Sequence, residues 1–129
     1  MGDRGNIAIN QWGEDGPVVL YTHWSGYRIK ETAAKALDSK PGRGRWTDNA
    51  YLARIIFDVL TEGVHGTETG YGISTSLCDN EYPIVVIDPN TQRVAIRSEA
   101  GWKGPVNEPE GQTFQEYIDT YIDPDASDG

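Results

Sequence analysis

Between residues 51 and 60 the chain places Tyr51, Leu52, Ile55, Ile56, Val59 and Leu60 at helical spacing, one continuous apolar stripe. A helix built this way is stable only with its stripe buried, so the chain needs a surface to lay it on. Thr47 or Asp48 can cap its start, and Gly63 suits its C-terminal cap. Arg54 and Asp58, near the edge of the stripe, are set for an i,i+4 pair.

The flanking segments read as the strands of that surface. Residues 6–12 alternate, Gly13 to Pro17 is a turn, and Val18 to Thr22 is a nearly continuous apolar run, so the two form a hairpin. Tyr71 to Leu77 alternates, with Tyr71, Ile73, Thr75 and Leu77 on one side. Tyr82 to Asp88 is the most apolar strand and the candidate for the sheet centre, and Arg93 to Arg97 follows a turn. Ile29 to Leu37 is a short helix with a small apolar face, expected to pack weakly and to end at Ser39-Lys40-Pro41-Gly42. Residues 99–111 are an irregular connection. Thr113 and Glu116 form a capping box for a last helix carrying Phe114, Tyr117, Ile118, Tyr121 and Ile122, ended by Asp123-Pro124.

The order is therefore β-β-α-α-β-β-β-α. It predicts an α+β fold: a roughly five-stranded, mainly antiparallel sheet with helices packed on it. Residues 1–124 read as a single domain and 125–129 as a frayed acidic tail.

Of 129 residues, 20 are acidic and 11 basic, and the difference is local. Residues 107–129 hold seven acids and no base; residues 1–106 hold 13 acids and 11 bases, a net of -2. A net charge of -9 opposes direct nucleic-acid binding. The one cysteine, Cys78, has no intramolecular partner and suits a reducing cytoplasm. No signal-peptide core or membrane-length apolar run is read, so no membrane partner is expected. Only His23, His65 and Cys78 are strong nitrogen or sulfur ligands, none with a paired spacing, so neither metal nor cofactor is expected.

Binding chemistry concentrates in two places. At the end of the second strand, His23, Trp24, Tyr27 and Arg28 combine a donor, two stacking surfaces and a cation. A structural cluster closing the core explains His23 and Trp24 equally well. The basic loop Lys40–Trp46 offers Arg43, Arg45 and Trp46 just before a helix N-terminus, although it lacks the Gly-Lys-Ser/Thr of a phosphate loop; a solvated linker is its plainer reading. Arg54 and Tyr71, the latter flanked by Gly70 and Gly72, complete the candidate ligand-binding set. No residue is assigned a catalytic role. Ser25 beside His23 is not a triad, and Asp79 next to Cys78 works against a reactive thiolate.

Five phrases together carry a resemblance: Met1-Gly2-Asp3-Arg4-Gly5-Asn6, Tyr21-Thr22-His23-Trp24, Tyr51 to Phe57, Gly70-Tyr71-Gly72-Ile73-Ser74-Thr75 and Asp79-Asn80-Glu81-Tyr82-Pro83-Ile84. Over residues 1–97 the chain resembles a family of small, functionally uncharacterised bacterial and phage proteins. That resemblance implies no activity and no catalytic residue; it implies a phage accessory protein, a class in which blocking a host defence component is a common role. At the level of topology the order is also similar to N-terminal-nucleophile hydrolases, but nothing points to processing that would expose a terminal Thr, Ser or Cys.

The expected function is thus a non-enzymatic, cytoplasmic binding protein that takes a nucleotide-like anion or a host protein. Two alternatives stay open: an acidic nucleic-acid mimic acting through residues 107–128, and a small hydrolase using His23 as base. A homodimer through the apolar stripe of residues 114–122 is a further expectation.

Overall fold

The computed structural model of the chain describes residues 2–12, 16–64 and 66–122. It is α+β. Six strands form one sheet: β1 (Gly5–Ile9), β2 (Val18–Thr22), β3 (Tyr71–Ser74), β4 (Ile84–Asp88), β5 (Arg93–Arg97) and β6 (Gln112–Thr113), in the order β3-β2-β1-β4-β5-β6. All neighbours are antiparallel except β1 and β4. The sheet thus has one strand more than expected, because the two residues of β6 are too few to show alternation. It also has one parallel pair. The chain leaves β3 at one edge and passes β2 and β1 before entering β4, so β4 runs in the direction of β1.

All five residues of β4 are buried, as befits a strand covered on both faces. On one face Ile7, Ile9, Leu20, Val85, Ile87 and Val94 meet the helices. On the other Ala8, Val19, Ile84, Val86 and Ala95 meet Trp102 and Val106. The irregular connection is therefore a strap across the helix-free face.

The first helix, α1 (Ile29–Asp38), corrects an expectation. Its small apolar face does not pack weakly: Ile29, Ala33, Ala34, Ala36 and Leu37 are all buried. Alanines let the helix approach the sheet closely, and it touches β1, β4 and the three other α-helices. The expected stop is itself a short helix, α2 (Lys40–Arg43), because the Ser39 hydroxyl accepts from the Gly42 amide at 3.1 Å and Pro41 is tolerated in a first turn. In α3 (Asn49–Leu60) it is Asp48 that caps, accepting from the Tyr51 amide at 3.0 Å. Tyr51 leaves the expected stripe and is exposed, its ring 4.7 Å from the Arg45 guanidinium. Arg54 and Asp58 pair as expected, at 2.5 Å.

The capping box of Thr113 and Glu116 opens α4 (Phe114–Tyr121). Phe114, Tyr117 and Ile118 are buried within the chain's own core, and the Tyr117 hydroxyl donates to the Lys30 carbonyl at 2.9 Å. Three residues of the stripe expected to pair two copies are thus covered by this domain, and Tyr121 and Ile122 are half-buried. β3 ends at Ser74 rather than Leu77, where the Ser74 hydroxyl accepts from the Ser76 amide at 3.2 Å and bends the chain. Ile73, opposite Leu20, is 63% exposed because the helix layer stops over β2. Part of the expected Gly13–Pro17 turn, the Asp123-Pro124 stop and the 125–129 tail lie outside the described residues.

Candidate functional site

The chain leaves β2 through a hydroxyl-centred turn. Buried Thr22 accepts through Oγ1 from the amides of Trp24 at 3.3 Å and Ser25 at 3.2 Å, and bonds the Ser25 hydroxyl at 2.9 Å. The His23 backbone is tied on both sides: its N–H donates to the Gly70 carbonyl at 2.8 Å and its carbonyl accepts from Asp3 N–H at 2.7 Å. Asp3 then gathers the next turn. Its carbonyl accepts from Gly26 N–H at 2.8 Å, its Oδ2 from Tyr27 N–H at 3.1 Å, and its Oδ1 from the Tyr82 hydroxyl.

Arg4 and Asn6 bring in a third segment. Arg4 donates from Nε to Glu81 at 3.1 Å and from Nη1 to Asp79 at 3.3 Å. The buried Asn6 amide donates to the Asp79 carbonyl at 3.2 Å and to Asn80 Oδ1 at 3.0 Å, and accepts from Cys78 N–H at 3.3 Å. Residues 2–6, 21–28, 70–71 and 78–82 therefore meet at one end of the sheet. These include most of three of the five phrases singled out in the sequence and the start of a fourth, Gly70-Tyr71. The fifth, Tyr51 to Phe57, lies in α3 and feeds the core through Leu52, Ile55 and Ile56.

Two large aromatics face outward here. Trp24 is 53% exposed and Tyr27 63%. The His23 ring stands edge-on to Trp24, 4.4 Å between centroids and 82° between planes, and its Nδ1 bonds the Tyr21 hydroxyl at 2.9 Å. Gly70 adopts φ +100°, and a Cβ there would collide with Trp24 Nε1. The indole thus rests against a position that only glycine leaves open. Tyr71 is half-buried and packs on the core. Arg28 is exposed and makes no ion pair among the described residues.

The surroundings shift three groups of the cluster, Glu81, Tyr21 and Tyr82. The Glu81 carboxyl lies below its ordinary range because it accepts from the Arg4 amide and guanidinium. Burial, reinforced by the Asp79 carboxylate, pushes the Tyr21 phenol up; the bond to Asp3 does the same for Tyr82. Both hydroxyls stay protonated across the physiological range. The result is a hydrogen-bonded turn with two exposed aromatics, bordered by an imidazole, the Arg28 cation and the Asp3 carboxylate. Such a surface can stack on a planar group and accept negative charge.

The nine expected ligand-binding residues do not form one pocket. His23, Trp24, Tyr27, Arg28 and Tyr71 belong to the end of the sheet just described. Arg43, Arg45 and Trp46 follow the far end of α1, about 15 Å away by the rise of a ten-residue helix. Arg43 donates to Asp38 at 2.6 Å and to Gln115 at 3.0 Å, with its guanidinium 5.2 Å from the Trp46 ring. The Trp46 indole N–H donates to the Leu37 carbonyl at 3.0 Å, and its ring stands edge-on to Phe114. Arg45 lies 3.8 Å from Asp48, and Arg54 pairs with Asp58. Each of these three arginines already faces a carboxylate, and Trp46 anchors α1 to α4. The plainer reading of the basic loop, a solvated linker, holds for the exposed Lys40, Arg43 and Arg45 but not for Trp46, which is half-buried and bonded to α1.

Sequence reasoning missed Asp3, Arg4, Tyr21 and the pairing of Arg4 with Asp79 and Glu81. Opposite charges before two strands were the available signal, but nothing local links positions more than 70 residues apart. It also missed a 220 Å³ cavity at the other end of the sheet, lined by Asn10, Asp88, Asn90, Gly104 and Pro105 among others. Buried Asp88 there accepts from the amides of Asn90 at 3.0 Å and Val106 at 2.8 Å. In the acidic segment, Glu110 pairs with Arg97, Glu116 caps α4 and Asp119 accepts from Gln115. Asp123, Asp125, Asp128 and His65 lie outside the described residues.

Among the described residues no group of three or more His, Cys, Asp or Glu is placed to hold a metal, and no helix is long and apolar enough to cross a membrane. No family model, curated protein or solved structure matches this chain.

Proposed function

We propose that this chain is a binding protein whose recognition surface is the Trp24–Tyr27 platform, and that its ligand is a small, planar, nucleotide-like anion. One observation carries the reading: two large aromatics are held outward by backbone bonds to Gly70 and Asp3 instead of folding onto the core. A surface fixed before binding loses little entropy when a ligand arrives. Stacking on an aromatic contributes about 1–3 kcal/mol per base. Arg28, in the same turn, supplies the cation for a phosphate. The net charge of -9 favours a small anion over a polyanion. With the resemblance of residues 1–97 to bacterial and phage proteins, the role we attach is sequestration of such a ligand from a host defence component in the cytoplasm.

Thermal-shift and tryptophan-fluorescence titrations with mono-, di- and cyclic nucleotides test this. The wild type should be stabilised by at least one of them. Trp24→Ala and Arg28→Ala should lose the response, and an Arg43→Ala/Arg45→Ala double variant should keep it. The absence of any response at millimolar nucleotide, or a response intact in Trp24→Ala, overturns the proposal.

A further inference from the structure

We propose that two copies of this chain pair antiparallel along β3, joining their six-stranded sheets edge to edge. β3 ends the sheet on one side, and no strand pairs with its outer edge among the described residues. The opposite edge, β6, is two residues long and runs straight into α4. The His23 N–H to Gly70 carbonyl bond makes those residues a hydrogen-bonded pair of the β2–β3 ladder. The alternation of an antiparallel ladder then directs Gly72 and Ser74 toward β2, and turns the N–H and C=O of Tyr71 and Ile73 outward.

Edges of this kind are usually blunted by shortness, Lys, Pro, a bulge or inward charge. β3 is short, at four residues, but carries none of the other devices. From Thr69 to Cys78 there is no charged residue and no proline, in a chain of net charge -9. Two acidic copies repel over most of their surface, and least along this strip.

A second copy fits this edge in a self-paired register. A two-fold axis through Ile73, perpendicular to the sheet, sets Ile73 against its mate and Gly72 against Ser74, all within β3. Each pair then lies on a common face, and the outward N–H and C=O of Ile73 bond those of its mate. Ile73, 63% exposed in a single copy, is the residue this axis covers.

Sedimentation of the wild type over a concentration series reads the assembly, and two variants read the register. Ile73→Lys places like charges opposite each other and should sediment as a monomer. Ile73→Cys, in a Cys78→Ser background, should form a disulfide-linked dimer on mild oxidation. Hydrogen-bonded antiparallel residues lie about 5.5 Å apart at Cα, within disulfide reach. Val64→Cys, exposed but off the strand, is the control and should not cross-link. Circular dichroism checks that each variant is folded. A wild type monomeric at its highest soluble concentration, a dimer that survives Ile73→Lys, or equal cross-linking at Val64→Cys overturns the proposal.

Discussion

Arg97 grips Glu110 through two parallel bonds, Nε to Oε2 at 2.9 Å and Nη2 to Oε1 at 2.6 Å. The same guanidinium donates to the carbonyls of Trp102 at 3.1 Å, Gly104 at 2.8 Å and Pro105 at 2.8 Å. One side chain on β5 thus folds the strap back over the sheet and sets Trp102 and Val106 on Ala8, Val86 and Ala95.

Arg97→Ala should therefore destabilise the fold by about 3 kcal/mol, since it leaves several acceptors under the strap without a donor. Urea unfolding followed by circular dichroism gives the magnitude, and tryptophan emission should shift red as Trp102 loosens. A loss under about 1 kcal/mol would mean that apolar packing alone holds the strap.

Acid should weaken the protein in a defined window. The carboxyls of Glu110, Glu81 and Glu116 lie below their ordinary range, held there by Arg97, by Arg4 and by the Thr113 amide and hydroxyl. A lowered folded-state pKa means the contribution is complete above the unfolded value, about 4.3, and disappears as pH falls through the folded one. The urea midpoint should be flat above about pH 5 and fall below about pH 4. Glu110→Gln should flatten that acid limb, and an unchanged limb would remove Glu110 from the explanation.

Gly70→Ala joins the fold to the proposed site. The position has φ +100°, and the added Cβ meets the Trp24 indole nitrogen. Strain of this kind costs about 1–3 kcal/mol. The indole should leave its seat, so the thermal midpoint should drop and nucleotide-induced stabilisation should vanish together. A variant with unchanged melting and unchanged binding would show that the platform tolerates a moved Trp24.

Asp48→Ala removes the cap of α3 and should cost about 1 kcal/mol by urea unfolding. Because Asp48 stands far from the Trp24 platform, ligand binding measured well below the melting transition should be unaffected.

Much of the architecture was legible in local spacing. The stripe of Leu52, Ile55, Ile56 and Leu60, the Thr113–Glu116 box and the apolar run of β4 are patterns contained within a dozen residues, and each folds as its period requires. The misreadings have physical causes. Alanines in α1 looked like a poor apolar face, but beside a sheet they allow close approach. The aromatics of α4 looked like surplus surface for a second copy, but α1 and β5 lie against them.

The sequence by itself determined the α+β class, most of the strands and helices, and the aromatic turn after β2, because the periods of helix and strand and the chemistry of capping residues act over a few positions. Only the tertiary structure decided what that turn stands beside. The β3-to-β4 crossover puts β4 next to β1 and so brings Asp79, Glu81 and Tyr82 to Asp3 and Arg4, while α1 holds Arg43 and Trp46 away at its other end. Contacts between residues more than 70 positions apart leave no period in the chain; they arise when strands choose neighbours, and that choice depends on burying both faces of the sheet at once.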